Sequence, residues 1–258
     1  MTNPLSAQLI VAHRGASHDA PENTLTAFHL AWEQQADGIE CDFRMTADGH
    51  IVCIHDETTE RTAGTNLEVA GSTLEELQQL DVGKWKGPEF TGERIPLLSE
   101  VIAIVPADKR IVIELKAGQE IVAPLGQVLA ESNLQTEQIL VISFRWDTIA
   151  AVNSQLPHLR THLLRDYEPE GDTGPWTPTS SEIATTIERI GADGLGSEGR
   201  RSVFTREFRD ALVDEGVEEF HVWTIDDPED AKFFQELGAW GITTNRPALI
   251  RQSLTGDR

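Results

Sequence analysis

The chain has 258 residues, with 43 Asp plus Glu against 21 Lys plus Arg, giving a formal charge of −22 at pH 7. So large an acidic excess repels the phosphate backbone, which is bound by Lys and Arg displacing counterions, and it excludes a general binder of nucleic acid or of anionic membranes. With 39% apolar residues, six Trp and nine Phe, the chain can bury more than a disordered sequence could, and its length fits one barrel-sized domain.

The opening stretch MTNPLSAQLIVAHRG has neither a charged leader nor an apolar run of signal-peptide length, and no later window approaches 18 apolar residues, so a soluble, cytoplasmic protein is expected. Short β-branched runs then alternate with stretches of helical spacing. The strand candidates are 9–13 (LIVAH), 38–44 (GIECDFR), 51–56 (IVCIHD), 110–116 (RIVIELK), 138–144 (QILVISF), 161–164 (THLL), 192–197 (ADGLGS), 219–225 (EFHVWTI) and 241–244 (GITT). Helical spacing covers 23–35, 72–80, 97–105, 120–132, 145–155, 181–190, 204–215, 228–238 and 246–254. Starts are signalled by Asn23 as a cap before Thr24, by Ser72 ahead of Glu75 and Glu76 as a capping box, and by Pro228 in a first turn. Cys41 and Cys53 each lie within an apolar strand run and read as buried thiols.

With 51–56 taken as the second arm of a hairpin turning at Asp48-Gly49, eight strands remain, each followed by helix. Continuous alternation of this kind predicts an α/β fold with a parallel sheet closed into a TIM (β/α)8 barrel. A doubly wound open sheet would want a glycine-rich loop after the first strand, and HRGASHDAPEN has a single glycine. Residues 56–97 break the alternation with turn-rich sequence and read as a small insertion after the second strand, within a single domain spanning 1–258.

The ionisable residues are placed with respect to these strands. Glu40 and Asp42 are two apart, so a pleated strand projects both to one side and Ile39, Cys41 and Phe43 to the other; Glu114 and Lys116 repeat the arrangement. His13 and His55 fall at the C-terminal ends of their runs, the end where barrels build active sites. Three carboxylates in one mouth repel one another unless a cation neutralises them, and an oxygen set without Cys favours Ca2+ or Mg2+ over zinc. Arg14 can fork two donors onto a phosphate, Gly15 lets the backbone turn without crowding a ligand, and two histidines can supply an acid and a base. His18 could line the rim, and His221 shares a strand face with Trp223, whereas His29, His50, His158 and His162 read as surface or helix residues.

His13-Arg14-Gly15, Pro21-Glu22-Asn23-Thr24, Glu40-Cys41-Asp42, and Asp48-Gly49 leading to His55-Asp56 together resemble the signature of the glycerophosphodiester phosphodiesterases. The resemblance continues through Glu114-Leu115-Lys116, Val222-Trp223-Thr224 and Gly241-Ile242-Thr243-Thr244, so it covers nearly the whole chain. It implies a TIM barrel hydrolysing glycerophosphodiesters to glycerol 3-phosphate and an alcohol. On matching positions it implies Glu40, Asp42 and Glu114 as ligands of one divalent cation, and His13 and His55 as the acid/base pair. Arg14 and Lys116 match phosphate contacts, and Trp223 an aromatic beside the glycerol. Two departures stand out: the family often has Asn in the stretch after the Trp, where this chain reads Thr224-Ile225-Asp226-Asp227, and often Asp where it has Asn245. Both are expected to concern peripheral contacts.

Three other readings compete. A related barrel acting on a phospholipid or lysophospholipid needs an apolar rim, for which Trp85 and Phe90 are the candidates. A non-catalytic phosphodiester-binding barrel does not account for the retained His13, His55 and three carboxylates, and a metal-dependent isomerase does not account for the His-Arg pair. The expected partner is a small glycerophosphodiester, with no nucleic acid and no stable membrane association.

Overall fold

A computed structural model describes residues 8–171 and 174–256. Residues 1–7, part of the opening stretch read as lacking a signal sequence, lie outside the described residues. The strands are β1 (Leu9–His13), β2 (Gly38–Met45), β3 (Ile51–Cys53), β4 (Arg110–Leu115), β5 (Ile139–Ser143), β6 (Arg160–Arg165), β7 (Glu168–Pro169), β8 (Trp176–Thr177), β9 (Gly194–Glu198), β10 (Phe220–Trp223) and β11 (Gly241–Thr244). Eight of them pair in parallel in the order β1-β2-β4-β5-β6-β9-β10-β11, and β11 pairs back onto β1, so the sheet closes into the expected barrel. β3 is antiparallel to β2, as the hairpin reading required, with Gly49 in the left-handed region at φ +85°. That strand stops at Cys53, short of the expected 51–56, which leaves His55 in the loop beyond it. The β7–β8 hairpin was not foreseen: two-residue strands carry no periodicity to read.

Alternation along the strands decides the two layers. Ile39, Cys41, Phe43, Ile111, Ile113 and Leu115 point outward into the core beneath the helices, while Val11, Val112, Leu140, Ile142 and Leu164 fill the barrel. The helices begin largely where their caps are. Thr24, Thr179, Thr205 and Asp227 accept first-turn amides through their side chains, with Pro228 at the first position after Asp227. Two expected caps shift by one residue. Thr24, not Asn23, caps the helix Leu25–Glu33, and Thr73, not Ser72, makes the capping box with Glu76. Both cysteines are free and buried, and among the described residues no helix is long and apolar enough to cross a membrane.

Residues 56–97 form short helices at Glu60–Ala63 and Leu74–Leu77 and return to the hairpin through a Leu97–Val52 bridge. Val69, Leu77, Val82 and Ile95 from this segment pack with Val52 and Ile54, which gives it a small apolar core of its own. The segment meets the barrel mouth through polar contacts: Lys86 Nζ donates to Ser17 O at 2.7 Å, and Arg61 forks onto both oxygens of Glu22 at 2.8 Å.

Candidate active site

Strand register assembles the carboxylates. β1–β2 pairing sets His13 opposite Glu40, and β2–β4 pairing sets Asp42 opposite Glu114, all at the C-terminal half of the barrel. One ligand oxygen from each of Glu40, Asp42 and Glu114 lies within 4.8 Å of the others, and all three side chains are buried. Glu40 Oε1, Asp42 Oδ1 and Glu114 Oε1 accept no well-aligned hydrogen bond, although Lys116 Nζ stands 3.1 Å from Asp42 Oδ1 and 2.5 Å from Glu114 Oε1. Three buried hard oxygens, one on each carboxylate, are a donor set that fits a divalent cation of the Ca2+ or Mg2+ type.

The electrostatics show the cost of three carboxylates together. Burial, then Asp42 and Glu114, push Glu40 well above the usual carboxylate range; burial and Asp42 push Glu114 up to about 7. Burial acts on Asp42 in the same sense, but Lys116, Arg14 and His55 outweigh it and hold that group below its ordinary value. The cationic side chains are themselves fixed. Arg14 Nε is 3.1 Å from Asp42 Oδ2, its Nη1 donates to Glu22 Oε1 at 2.9 Å, and its backbone N–H donates to Glu40 Oε2 at 3.0 Å.

That backbone contact depends on an unusual turn. Arg14 has φ +56°, rare for a residue with a side chain, and Gly15 follows at φ +81°. A Cβ on Gly15 would lie 2.6 Å from the Ala27 carbonyl carbon, so the glycine is required by the helix packed against it, not by crowding of a ligand as the sequence suggested.

His13 and His55 flank the cluster, each with one ring nitrogen held. His13 Nδ1 is 2.8 Å from Asn245 Oδ1, and its Nε2 faces Glu40 Oε2 at 4.0 Å. His55 Nδ1 is 2.7 Å from Asp56 Oδ1, and Asp56 is tied in turn to Arg61. Burial lowers both imidazoles, His13 to about 4 with Arg14 adding to the shift. His13, Arg14, Glu40, His55, Glu114, Lys116 and Trp223 all line one cavity of about 220 Å³. Asp42 lies beneath its floor with no exposed surface. A second cavity of about 560 Å³ shares His13 and Arg14 and extends past Lys86 and Arg246. The structure thus brings His13, Arg14, Glu40, His55, Glu114, Lys116 and Trp223 together around one cavity, with Asp42 buried against Arg14 and Lys116.

Other residues of the site were missed or misplaced. Phe144 lines the cavity beside Trp223, packed edge to face with centroids 5.4 Å apart, and only its position as the last residue of a strand run pointed to it. Asn23, read as a helix cap, donates to Asp42 Oδ2 at 2.8 Å. Asn245, expected to be peripheral, touches His13 directly. His162, read as a surface or helix residue, is fully buried in β6, inside the barrel: its Nδ1 is 2.9 Å from His221 Nδ1 and its Nε2 is 2.9 Å from Glu219 Oε1. Its inward alternation with Leu164 was the available signal. His18 does line the rim of the larger cavity and stays half-exposed.

The chain matches the model of the glycerophosphoryl diester phosphodiesterase family over residues 13–249. It is 36% identical over 247 residues to a glycerophosphodiester phosphodiesterase of Caldanaerobacter subterraneus subsp. tengcongensis, covering 94% of this chain and 96% of that one. Identity to a putative glycerophosphodiester phosphodiesterase of Bacillus subtilis is 34%, covering 93% and 96%. Among solved structures, a phosphodiesterase of Oleispira antarctica in complex with the product sn-glycerol-3-phosphate superposes with a TM-score of 0.83 at 26% identity, covering 96% of each chain. The chain belongs to the glycerophosphoryl diester phosphodiesterase family and is an enzyme of the phosphoric diester hydrolase class.

Proposed function

We propose that the protein hydrolyses glycerophosphodiesters to glycerol 3-phosphate and an alcohol in the cytoplasm, with Glu40, Asp42 and Glu114 holding one divalent cation, Ca2+ or Mg2+. The single observation that carries this reading is the set of three buried carboxylate oxygens without a well-aligned hydrogen bond, flanked in one cavity by His13, His55, Arg14 and Lys116. Support for the substrate comes from the Oleispira antarctica relative, whose structure holds sn-glycerol-3-phosphate.

When bound, the cation neutralises the carboxylates and supplies Lewis-acid stabilisation of charge on the phosphoryl oxygens. The protein's own groups do the rest. Arg14 and Lys116 lie at the same cavity wall, where their charge offsets that developing on phosphorus. One of His13 and His55 removes the nucleophile's proton and the other protonates the departing alkoxide, each through the ring nitrogen not engaged by Asn245 or Asp56. The glycerol half packs against the aromatic wall that Trp223 and Phe144 form by their edge-to-face contact, and the departing alcohol faces the larger cavity beyond His13. The segment 56–97 belongs to this one catalytic domain and forms part of its mouth.

The test is release of glycerol 3-phosphate from glycerophosphocholine and glycerophosphoethanolamine, with and without added Ca2+ or Mg2+. Cation-dependent release from either diester supports the reading. No release from either, with turnover of a lysophospholipid instead, overturns it.

A further inference from the structure

The two departures from the family's pattern, the stretch Thr224–Asp227 and Asn245, meet in one hydrogen bond between Asp226 and Asn245. Asn245 Nδ2 donates to Asp226 Oδ2 at 2.6 Å, and Asp226 Oδ1 accepts from the Asn245 backbone N–H at 2.8 Å and from Thr244 Oγ1 at 2.9 Å. A carboxylate can only accept, so it dictates which way the amide points: Nδ2 toward Asp226, and Oδ1 toward β1. There Oδ1 meets His13 Nδ1 at 2.8 Å and Ser17 Oγ at 2.8 Å. An amide oxygen accepts and does not donate, so His13 Nδ1 carries the proton and Nε2 is left as the exchangeable nitrogen. Nε2 is the nitrogen that faces the carboxylate cluster.

We propose that Asp226 and Asn245 act as a positioning pair that fixes the tautomer and ring orientation of His13 from the strand on the far side of the barrel seam. The inference rests on the acid/base reading of His13. Asp226 touches neither the cavity's carboxylates nor His13; it works through Asn245, as an outer partner orients a ligating or catalytic imidazole. The same contacts tie the loop after β1 to β11, since the backbone N–H of His18 donates to the Asn245 carbonyl at 3.1 Å.

The exchange of the two residues gives a discriminating variant. In the double variant Asp226→Asn plus Asn245→Asp, the new amide at 226 donates to the new carboxylate at 245. That carboxylate still accepts from His13 Nδ1, and the acceptor for Thr244 and for the 245 backbone N–H is kept. Each single exchange breaks the logic: Asn245→Asp sets two carboxylates face to face, and Asp226→Asn lets the 245 amide rotate and present a donor to His13.

The experiment measures kcat and KM for glycerol 3-phosphate release from glycerophosphocholine in the wild type, both single variants, the double variant and His13→Ala. Each single exchange is expected to lower kcat roughly 10- to 100-fold with KM little changed, and the double variant to recover to within roughly 5-fold of wild type. Losses that multiply in the double variant overturn the pair, and so does wild-type kcat in Asp226→Asn when His13→Ala is inactive. Near-full turnover in His13→Ala overturns the reading of His13 itself. If either single variant fails to fold, the double variant decides: folded and active supports the pair, folded and inactive refutes it.

Discussion

Asp42 and Glu114 stand opposite each other in the β2–β4 register, and the ammonium of Lys116 lies against both, 3.1 Å from one and 2.5 Å from the other. Lys116 is thus an internal counter-charge within the carboxylate cluster. Lys116→Met leaves buried Glu114 without its cation and Asp42 with Arg14 alone, and removing one partner of a buried pair typically costs about 3–5 kcal/mol. Urea unfolding of cation-free protein is expected to show a loss of that order, and saturating Ca2+ to shrink it, because without the competing ammonium the variant binds the cation more tightly and gains more stability from it. A Lys116→Met protein as stable as wild type without cation would contradict this.

His13 and His55 each have one ring nitrogen fixed and one facing the cavity, the arrangement of groups that exchange protons with a ligand. His13→Ala and His55→Ala are expected to lower kcat by roughly 10²- to 10⁴-fold while the thermal midpoint changes little. Steady-state kinetics beside a melting curve separates the two effects, and near-wild-type turnover in either variant removes that histidine from the mechanism.

The buried His221 imidazole makes stability sensitive to acid. Burial first, and then His162, hold the His221 imidazole well below its ordinary value of 6.5. A base neutral in the folded state but protonated when unfolded makes the unfolded chain bind more protons as pH falls below about 6.5, so stability drops on that side. The contribution of one such group is at most about 1.4 kcal/mol per pH unit. In His221→Asn, unfolding free energy between pH 6.5 and 5 is expected to fall less steeply than in wild type. Parallel slopes would show that His221 is not the group responsible.

Gly15→Ala should damage both fold and site. The added methyl meets Ala27 at 2.7 Å and must adopt φ +81°, so relief comes by moving Arg14 and with it the backbone N–H that holds Glu40. Overpacking of this kind costs roughly 1–3 kcal/mol, and the displaced Arg14 is expected to weaken substrate binding as well. Chemical denaturation together with KM checks both effects, and an unchanged KM would locate the phosphate contact elsewhere.

The barrel was legible because its outward core is written as period-two runs such as Ile39-Cys41-Phe43 and Ile111-Ile113-Leu115, and the site because Glu40, Asp42, Glu114 and Lys116 occupy the other phase of those same runs. What a single sequence hides is contact across the closure of the sheet. Asn245 and His13 are 232 residues apart and meet because β11 pairs with β1. His162 and His221 meet across the barrel interior, where β9 contributes Gly196: a Cβ there would lie 2.5 Å from the His221 ring. A polar pair in that space looks, along the chain, like two isolated histidines in strands. Cap positions slipped by one residue because Asn23 and Ser72 can accept a first-turn amide as well as the Thr24 and Thr73 that follow them.

The central claim, that the Glu40, Asp42 and Glu114 cluster holds the cation on which phosphodiester hydrolysis depends, is tested most directly by one titration. Protein stripped with EDTA and dialysed is assayed for glycerol 3-phosphate release as Ca2+ or Mg2+ is added back. Turnover absent at the start and restored to a plateau by the added ion, with no restoration in Glu114→Gln, is the expected result. Full turnover by the exhaustively chelated wild type would contradict the account.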